Sequence, residues 1–192
     1  MRLIELKFSH FRNITRLSLE LDPRVNFFIG ANAQGKTSIL EAIHFLSQVE
    51  SFRTNDAEDL IQQGQSIARI ECQIDTDPSW QTQLAVTFER DPRIKKTAFI
   101  NGKSVRSQTQ YLAERFKNAA LGFHAVVFNP EDHDLVRGEP RVRRSFLNRA
   151  VSAESLDYLQ DLKTYSKVLE QRNFLLREQR RDAELFDVYT QE

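Results

Sequence analysis

The sequence lacks the features that mark several large classes of protein. It has one cysteine, Cys72, among 192 residues, which excludes an internal disulfide and fits a reducing compartment such as the cytoplasm. No apolar run approaches the roughly 18 residues that cross a membrane, and the N-terminus has no signal-peptide core. We therefore expect a cytoplasmic protein without a membrane partner.

An excess of charge of one sign is also missing. Lysine plus arginine and aspartate plus glutamate number 27 each, so no net field draws the chain to nucleic acid. Any DNA contact must come from local patches, and each candidate patch is alternatively a solvated face or, for the arginines, an anchor for the helical tail. The candidates are Lys95, Lys96 and Lys103 in a β-rich region, and Arg141, Arg143 and Arg144 further along.

The clearest positive signal is the segment GANAQGKT at residues 30–37, which matches G-x-x-x-x-G-K-[ST] in full. Residues 25–29 before it are predicted to form a buried strand. Residues 38–46 after it are predicted to form a helix with an apolar stripe of Ile39, Ile43 and Leu46. Strand, loop and helix in this order are the context in which the pattern binds phosphate.

In such a loop, backbone N–H groups and the helix N-terminus surround the phosphates. Glycines at 30 and 35 permit the tight turn, Lys36 reaches the β- and γ-phosphates, and the Thr37 hydroxyl holds Mg²⁺. We expect ATP and Mg²⁺ as cofactors, although the loop alone does not select ATP over GTP. The predicted cofactor-binding residues of the loop are Gly30, Ala31, Asn32, Ala33, Gln34, Gly35, Lys36, Thr37 and Ser38.

Alternating apolar residues predict β-structure on both sides of the phosphate loop. A hairpin is predicted over residues 2–21 and two strands over 67–74 and 84–89. Asn101-Gly102 suits a type I′ turn in a short hairpin over 97–105. A helix over 109–116 and a short buried strand over 124–128 follow.

The C-terminal part differs in kind. From Ser152 onward there is no glycine or proline, and leucines recur at helical spacing, which predicts an extended helix, or two in succession, with Ser152 or Ser155 as alternative N-caps. We therefore divide the chain into an ATPase lobe over 1–150 and the start of a helical arm over 151–192.

A hydrolytic ATPase also needs an acidic residue at the end of a second apolar strand. The strand predicted over 124–128 ends instead in Asn129-Pro130, and Glu131 and Asp132 suit the start of a helical turn. His133 between two acids invites a metal site, but capping explains the acids better. No Ser-Gly-Gly-Gln-like segment is present, so the chain is predicted to bind ATP without turning it over.

Several motifs together resemble the RecF group among the RecF, SMC and related ABC-type ATPases. They are LKFSHFRN at 6–13, LEAI at 40–43, SFR at 51–53, FNPED at 128–132, RGEPRVRRSFL at 137–147, and Tyr165 followed by LEQRN at 169–173. The resemblance covers nearly the whole chain. Asn148 departs from it, because the family usually has aspartate there.

The resemblance implies an α/β fold of the P-loop class, an ABC-type ATPase head with a mixed β-sheet. It also implies that Arg12 contacts phosphate, that Asn13 lies beside the nucleotide, and that Arg53 faces the nucleotide or a second protomer. Because the family is about twice as long, we expect an N-terminal fragment.

For the whole protein the resemblance implies recombinational DNA repair at single-strand gaps. It implies ATP-dependent homodimerisation, binding of duplex DNA or single-strand/double-strand junctions, weak DNA-dependent ATPase activity, and recombinase loading with recombination mediator proteins. The alternatives are a self-standing nucleotide-binding module without hydrolysis and, less well supported, a small P-loop kinase.

Overall fold

The computed structural model describes residues 2–77, 80–117 and 123–177. The chain divides into two compact units, one running to Phe128 and the other beginning at Asn129. The assignment of residues 1–150 to an ATPase lobe and of residues 151–192 to a helical arm stays a prediction.

The first unit is built on a sheet with the strand order β2-β1-β3-β4-β5-β6, in which every described pairing is antiparallel. Both predicted hairpins are confirmed, and Asn101 and Gly102 have φ of 49° and 75°, as a type I′ turn requires. β2 and the three-residue β6 form the edges. The strands are β1 Arg2–Phe11, β2 Ile14–Glu20, β3 Ile67–Asp77, β4 Trp80–Asp91, β5 Arg93–Ile100 and β6 Lys103–Val105.

The helix that follows the phosphate loop, α1 (Lys36–Gln48), packs on one face of this sheet. Phe45 of α1 meets Phe88 of β4 edge to face with ring centroids 5.0 Å apart, and Phe11 of β1 lies 6.1 Å from Phe88. These three rings and Leu46 are almost fully buried. Aromatic burial of this size anchors α1, and hence the phosphate loop, on the sheet.

The second helix, α2 (Gln108–Lys117), confirms the helix predicted over 109–116 and closes the far end of α1. The Tyr111 hydroxyl donates to the Leu46 carbonyl at 2.7 Å, which satisfies one of the last carbonyls of α1. Val49, with φ of 58°, then ends that helix. The end opposite the phosphate loop is thereby fixed in place.

Two predicted strands are wrong. Residues 25–29 and 124–128 have no regular secondary structure and belong to no strand, and Phe27, Ile29, Val126 and Phe128 are exposed. Their apolar patterns fit a strand, but a strand requires a neighbour for its backbone hydrogen bonds, and no described strand pairs with either segment. Before the first segment, local side-chain bonds around Asp22 shape the chain instead.

The second unit is helical where it is described. It contains the short α3 (Asp134–Arg137), α4 (Pro140–Glu154) and α5 (Leu156–Arg177). Pro140 opens α4 in its first turn, where proline is tolerated, although this helix was not predicted. Ser155 accepts a hydrogen bond from the Tyr158 amide at 3.2 Å, which confirms it as the cap of α5, whereas Ser152 lies inside α4. The predicted helix beyond residue 177 lies outside the described residues. No described helix combines the length and apolarity needed to cross a membrane.

Candidate functional site

The phosphate loop presents an open helix N-terminus. Gly35 is the N-cap of α1 with φ of 94°, no side chain caps this end, and no acidic residue lies in the first turn. The first N–H groups of α1 therefore keep both their hydrogen-bonding capacity and the positive end of the helix dipole. This is the arrangement that binds an anion.

The Lys36 side chain folds back over the phosphate loop. Its Nζ donates to the carbonyls of Gly30 and Ala31 at 2.8 and 2.6 Å. The ammonium is therefore held against the loop by two carbonyls, and its contact with the β- and γ-phosphates stays a prediction.

Asn13 braces the loop against the turn between β1 and β2. Its Nδ2 donates to the Ala33 carbonyl at 2.7 Å, and its Oδ1 accepts from the Ser38 hydroxyl at 3.1 Å. A Cβ at Gly35 would lie 3.3 Å from Asn13 Oδ1 and 3.2 Å from Ile14 Cγ1. Glycine is thus required at 35 for both its φ and its close approach to this turn.

A buried carboxylate at the centre of the site escaped the sequence analysis. Glu41 of α1 is fully buried, and both oxygens accept hydrogen bonds from basic side chains. Arg12 donates to it from Nε at 2.9 Å and from Nη2 at 2.6 Å, and Arg53 from Nη1 at 3.1 Å. The Ser51 hydroxyl also donates to Glu41 Oε1. The helical stripe of Ile39, Ile43 and Leu46 gives no sign of it, because Glu41 lies on the opposite side of α1.

Arg12 is held on its other side as well. It lies in the turn between β1 and β2 with φ of 55°, its amide donates to the Leu60 carbonyl, and its Nη1 donates to the Asp59 carbonyl at 2.9 Å. Leu60 and Asp59 belong to a single 3-10 turn. The predicted phosphate contact of Arg12 stays a prediction, and in this structure its guanidinium faces Glu41 and Asp59.

A cavity of about 810 Å³ joins these parts. Its wall includes Arg12 and Arg53, and the sequence did not show whether Arg53 faces the nucleotide or a second protomer. The wall also includes residues between 59 and 63, which the sequence analysis did not predict. Among them, Gln62 is held by His10, whose Nδ1 lies 3.1 Å from the Gln62 Oε1, and by Thr15, to which the Gln62 Nε2 donates at 3.0 Å. The lining comprises Arg12, Asn13, Asn32, Ala33, Gln34, Gly35, Lys36, Thr37, Ser38, Arg53, Asp59, Ile61, Gln62 and Gln63.

The predicted DNA contacts do not all share one surface. Lys95 and Lys96 are consecutive on β5, so their side chains point to opposite faces of the sheet. Lys96 lies over the ring of Phe45, at 5.9 Å, on the face that carries α1, and the pairing of Ile100 with Lys103 places Lys103 on that face too. In the second unit Arg141, Arg143 and Arg144 are exposed on α4. Their role in DNA binding stays a prediction.

The segment around His133 shows capping rather than ligand convergence. Asp132 Oδ2 accepts from the Asn129 amide at 2.7 Å. Across residues 2–77, 80–117 and 123–177, no group of three or more His, Cys, Asp or Glu side chains is arranged to hold a metal ion. The side chain of Glu131, which was considered for a catalytic role, lies outside the described residues.

Comparison with known proteins adds independent evidence. A family model described as the RecF/RecN/SMC N terminal domain matches residues 2–125. The DNA replication and repair protein RecF of Lactobacillus johnsonii is 35% identical over 178 residues, covering 93% of this chain and 44% of the relative. The protein of that name from Bacillus subtilis is 31% identical over 195 residues, covering 99% and 49%. The chain spans about half the length of the curated relatives it matches.

Solved structures agree with these relatives. A structure of the recombination mediator protein RecF-ATP in the RecFOR pathway matches with a TM-score of 0.83 and 27% identity, covering 98% of this chain and 48% of that chain. The Smc head domain of Pyrococcus furiosus matches with a TM-score of 0.60 and 16% identity, over 99% and 53%, which is a likeness of fold alone. Together they confirm the predicted α/β fold of an ABC-type ATPase head.

Proposed function

Because the chain belongs to the family of RecF/RecN/SMC N-terminal domains, we propose that it is the ATP-binding part of a RecF-type DNA replication and repair protein. The observation that carries the proposal is the cavity of about 810 Å³, which an open helix N-terminus, Lys36 and two arginines line together. One structural relative, which covers 98% of the chain, is described with ATP.

Mg²⁺ fits this site through one protein ligand. The Thr37 side chain is exposed in the first turn of α1 and lines the cavity, and Mg²⁺ in nucleotide sites is commonly held by one or two protein oxygens, waters and phosphates. Thr37 would hold the ion, whose chemistry is to neutralise phosphate charge. The side chains of Asn13 and Ser38 meanwhile keep the loop in shape.

For the whole protein we propose the activity that the family likeness suggests. ATP binding would promote homodimerisation, and the dimer would bind duplex DNA or its junction with single strands and load recombinase with mediator proteins. Asn32, exposed in the loop, is proposed to face the second protomer, and the basic residues of β5, β6 and α4 to contact DNA backbone. The chain itself is proposed to bind ATP without hydrolysis, because the apolar segment 124–128 ends in Asn129-Pro130 and the sequence holds no Ser-Gly-Gly-Gln-like segment.

An equilibrium titration with a fluorescent MgATP analogue tests the central claim. Lys36→Ala should weaken binding by roughly ten- to hundred-fold, which is the loss expected for one charge-assisted contact. Lys7→Ala is the control, because Lys7 is exposed on β1, pairs with Glu5 and does not line the cavity. Equal affinity in both variants would contradict the proposal, and steady phosphate release would contradict the absence of turnover.

A further inference from the structure

The cavity wall between residues 59 and 63 differs from the phosphate loop in its charge. The residues that line the cavity there are Asp59, Ile61, Gln62 and Gln63. None of them is basic, whereas Lys36 and the N-terminus of α1 offer positive charge to an anion. A triphosphate is therefore drawn to the loop and not to this wall. The base and the ribose are the parts of a nucleotide that remain for the wall to contact.

Gln62 is held in place through its backbone and through both ends of its side-chain amide. The Gln62 backbone N–H donates to the His10 carbonyl at 2.8 Å, beside a β-bridge between Phe11 and Ile61. The amide oxygen lies 3.1 Å from His10 Nδ1, which carries the hydrogen because an amide oxygen only accepts. The amide Nε2 donates to the Thr15 hydroxyl at 3.0 Å. These contacts fix the plane of the amide and the direction in which it faces.

The anchored amide keeps half of its hydrogen-bonding capacity. A glutamine amide has two N–H donors and two acceptor lone pairs, and Thr15 and His10 use one of each. Among the described residues, one donor and one acceptor of Gln62 are left side by side on a half-buried side chain that lines the cavity. Polar groups that stay unpaired in a closed site cost affinity, so the nucleotide that offers the complementary pair is favoured.

We propose that Gln62 selects adenine over guanine at this site, and that His10 and Thr15 are positioning residues that fix its amide. Adenine presents an N–H donor at N6 next to a ring-nitrogen acceptor, which matches the acceptor and the donor of a glutamine amide. Guanine has the acceptor O6 in place of the amine, so O6 would face the amide oxygen.

The fixed orientation of the amide is what makes this selection effective. Guanine could still pair through O6 and its N1–H, but only if the base shifted by one position or the amide turned over. The contacts with His10 and Thr15 oppose that turn. This assignment rests on the proposed function and adds to it the choice of base, which the phosphate loop does not make.

Competition titrations on the wild-type 192-residue chain test the selection without a mutation. A fluorescent MgATP analogue is displaced by the Mg²⁺ complexes of ATP, GTP, ITP or 2,6-diaminopurine riboside triphosphate. ATP should bind roughly ten- to hundred-fold more tightly than GTP, and ITP should bind as weakly as GTP because it also has O6. The diaminopurine nucleotide keeps the amine at C6 and adds the 2-amino group of guanine, so it should bind within about threefold of ATP.

Variants then assign the selection to Gln62. Gln62→Leu should bring the Kd values for GTP and ATP to within about threefold of each other, because leucine has no amide edge. Thr15→Val should narrow the gap chiefly by strengthening GTP, since the amide can then turn over. The matched control is Gln63→Leu, because Gln63 is exposed on the same wall and should leave the ratio unchanged. Partial misfolding lowers both affinities equally and does not change their ratio.

The outcomes separate the two proposals. Lys36-dependent binding with equal Kd for ATP and GTP would overturn this inference alone, as would a preference that survives Gln62→Leu. A diaminopurine nucleotide that binds as weakly as GTP would also overturn it, because exclusion of the 2-amino group would then explain the preference. An unchanged ratio in Thr15→Val would overturn the positioning role. Absence of Lys36-dependent binding would overturn the proposed function and this inference with it. Support is an ATP preference that Gln62→Leu removes and Gln63→Leu does not.

Discussion

Replacement of Glu41 by alanine should be among the most destabilising single changes in the first unit. Two oxygens that accept four hydrogen bonds would disappear, and Arg12 would remain largely buried without a counter-charge. Removing one partner of a buried ion pair costs about 3–5 kcal/mol. Because Arg53 is half-exposed, water can replace its contact with Glu41, and the loss of that contact adds little to the destabilisation.

This magnitude is large compared with the stability of a domain. With total stabilities of about 5–15 kcal/mol, the loss amounts to about a fifth or more of the free energy of unfolding. For a chain of this size it corresponds to a fall in Tm of roughly 6–20 °C.

Urea unfolding followed by far-UV circular dichroism measures the loss, because the unit that contains Glu41 holds all six strands of the sheet. Glu58→Ala is the control, because Glu58 is an exposed acid with one arginine partner and should cost about 0.5 kcal/mol or less. Equal losses in the two variants, or a loss below about 1 kcal/mol for Glu41→Ala, would refute the reasoning.

Two further predictions concern the loop and the sheet. Gly35→Ala should lower Tm more than Gly102→Ala in thermal unfolding. Both glycines have positive φ, but only at Gly35 would a Cβ meet other side chains. Equal shifts in Tm would contradict this reasoning. Cys72 should resist a thiol reagent at pH 8 until the chain unfolds, because burial raises the pKa of its thiol to about 12. The pKa of the thiol in the folded chain lies above its ordinary value of 9.0. The stability that this thiol contributes is therefore complete below about pH 9 and is lost as the pH rises towards 12. Urea titrations of Cys72→Ala should lack this pH dependence.

The sequence predicted best what depends on neighbouring residues. The Asn101-Gly102 turn, the hairpin at the N-terminus and the helix after Lys36 all follow from patterns a few residues long, and the structure confirms them. The strands predicted over 25–29 and 124–128 failed for the opposite reason. A strand depends on a partner elsewhere, and a short apolar run alone does not show whether one is present.

The candidate site divides in the same way. Residues 32–38 follow from a contiguous motif and do line the cavity. The role of Glu41, whose carboxylate binds the surrounding arginines, could not be predicted from such a motif. Its partners lie 29 residues before it and 12 residues after it in the sequence. In the sequence it is an ordinary charged residue on the polar side of a helix, and only the packing of turns against α1 shows its role.

The two edges of the sheet bear on how the chain behaves at high concentration. An edge strand offers unpaired backbone groups to any extended segment, including one from another copy, and this is a common route to aggregation. β6 is only three residues long, and β2 carries the exposed side chains of Arg16 and Glu20. Pairing between copies would have to accommodate these exposed charged side chains along β2 and would find only three residues of backbone along β6. Both edges of the described sheet therefore have features that discourage edge-to-edge pairing.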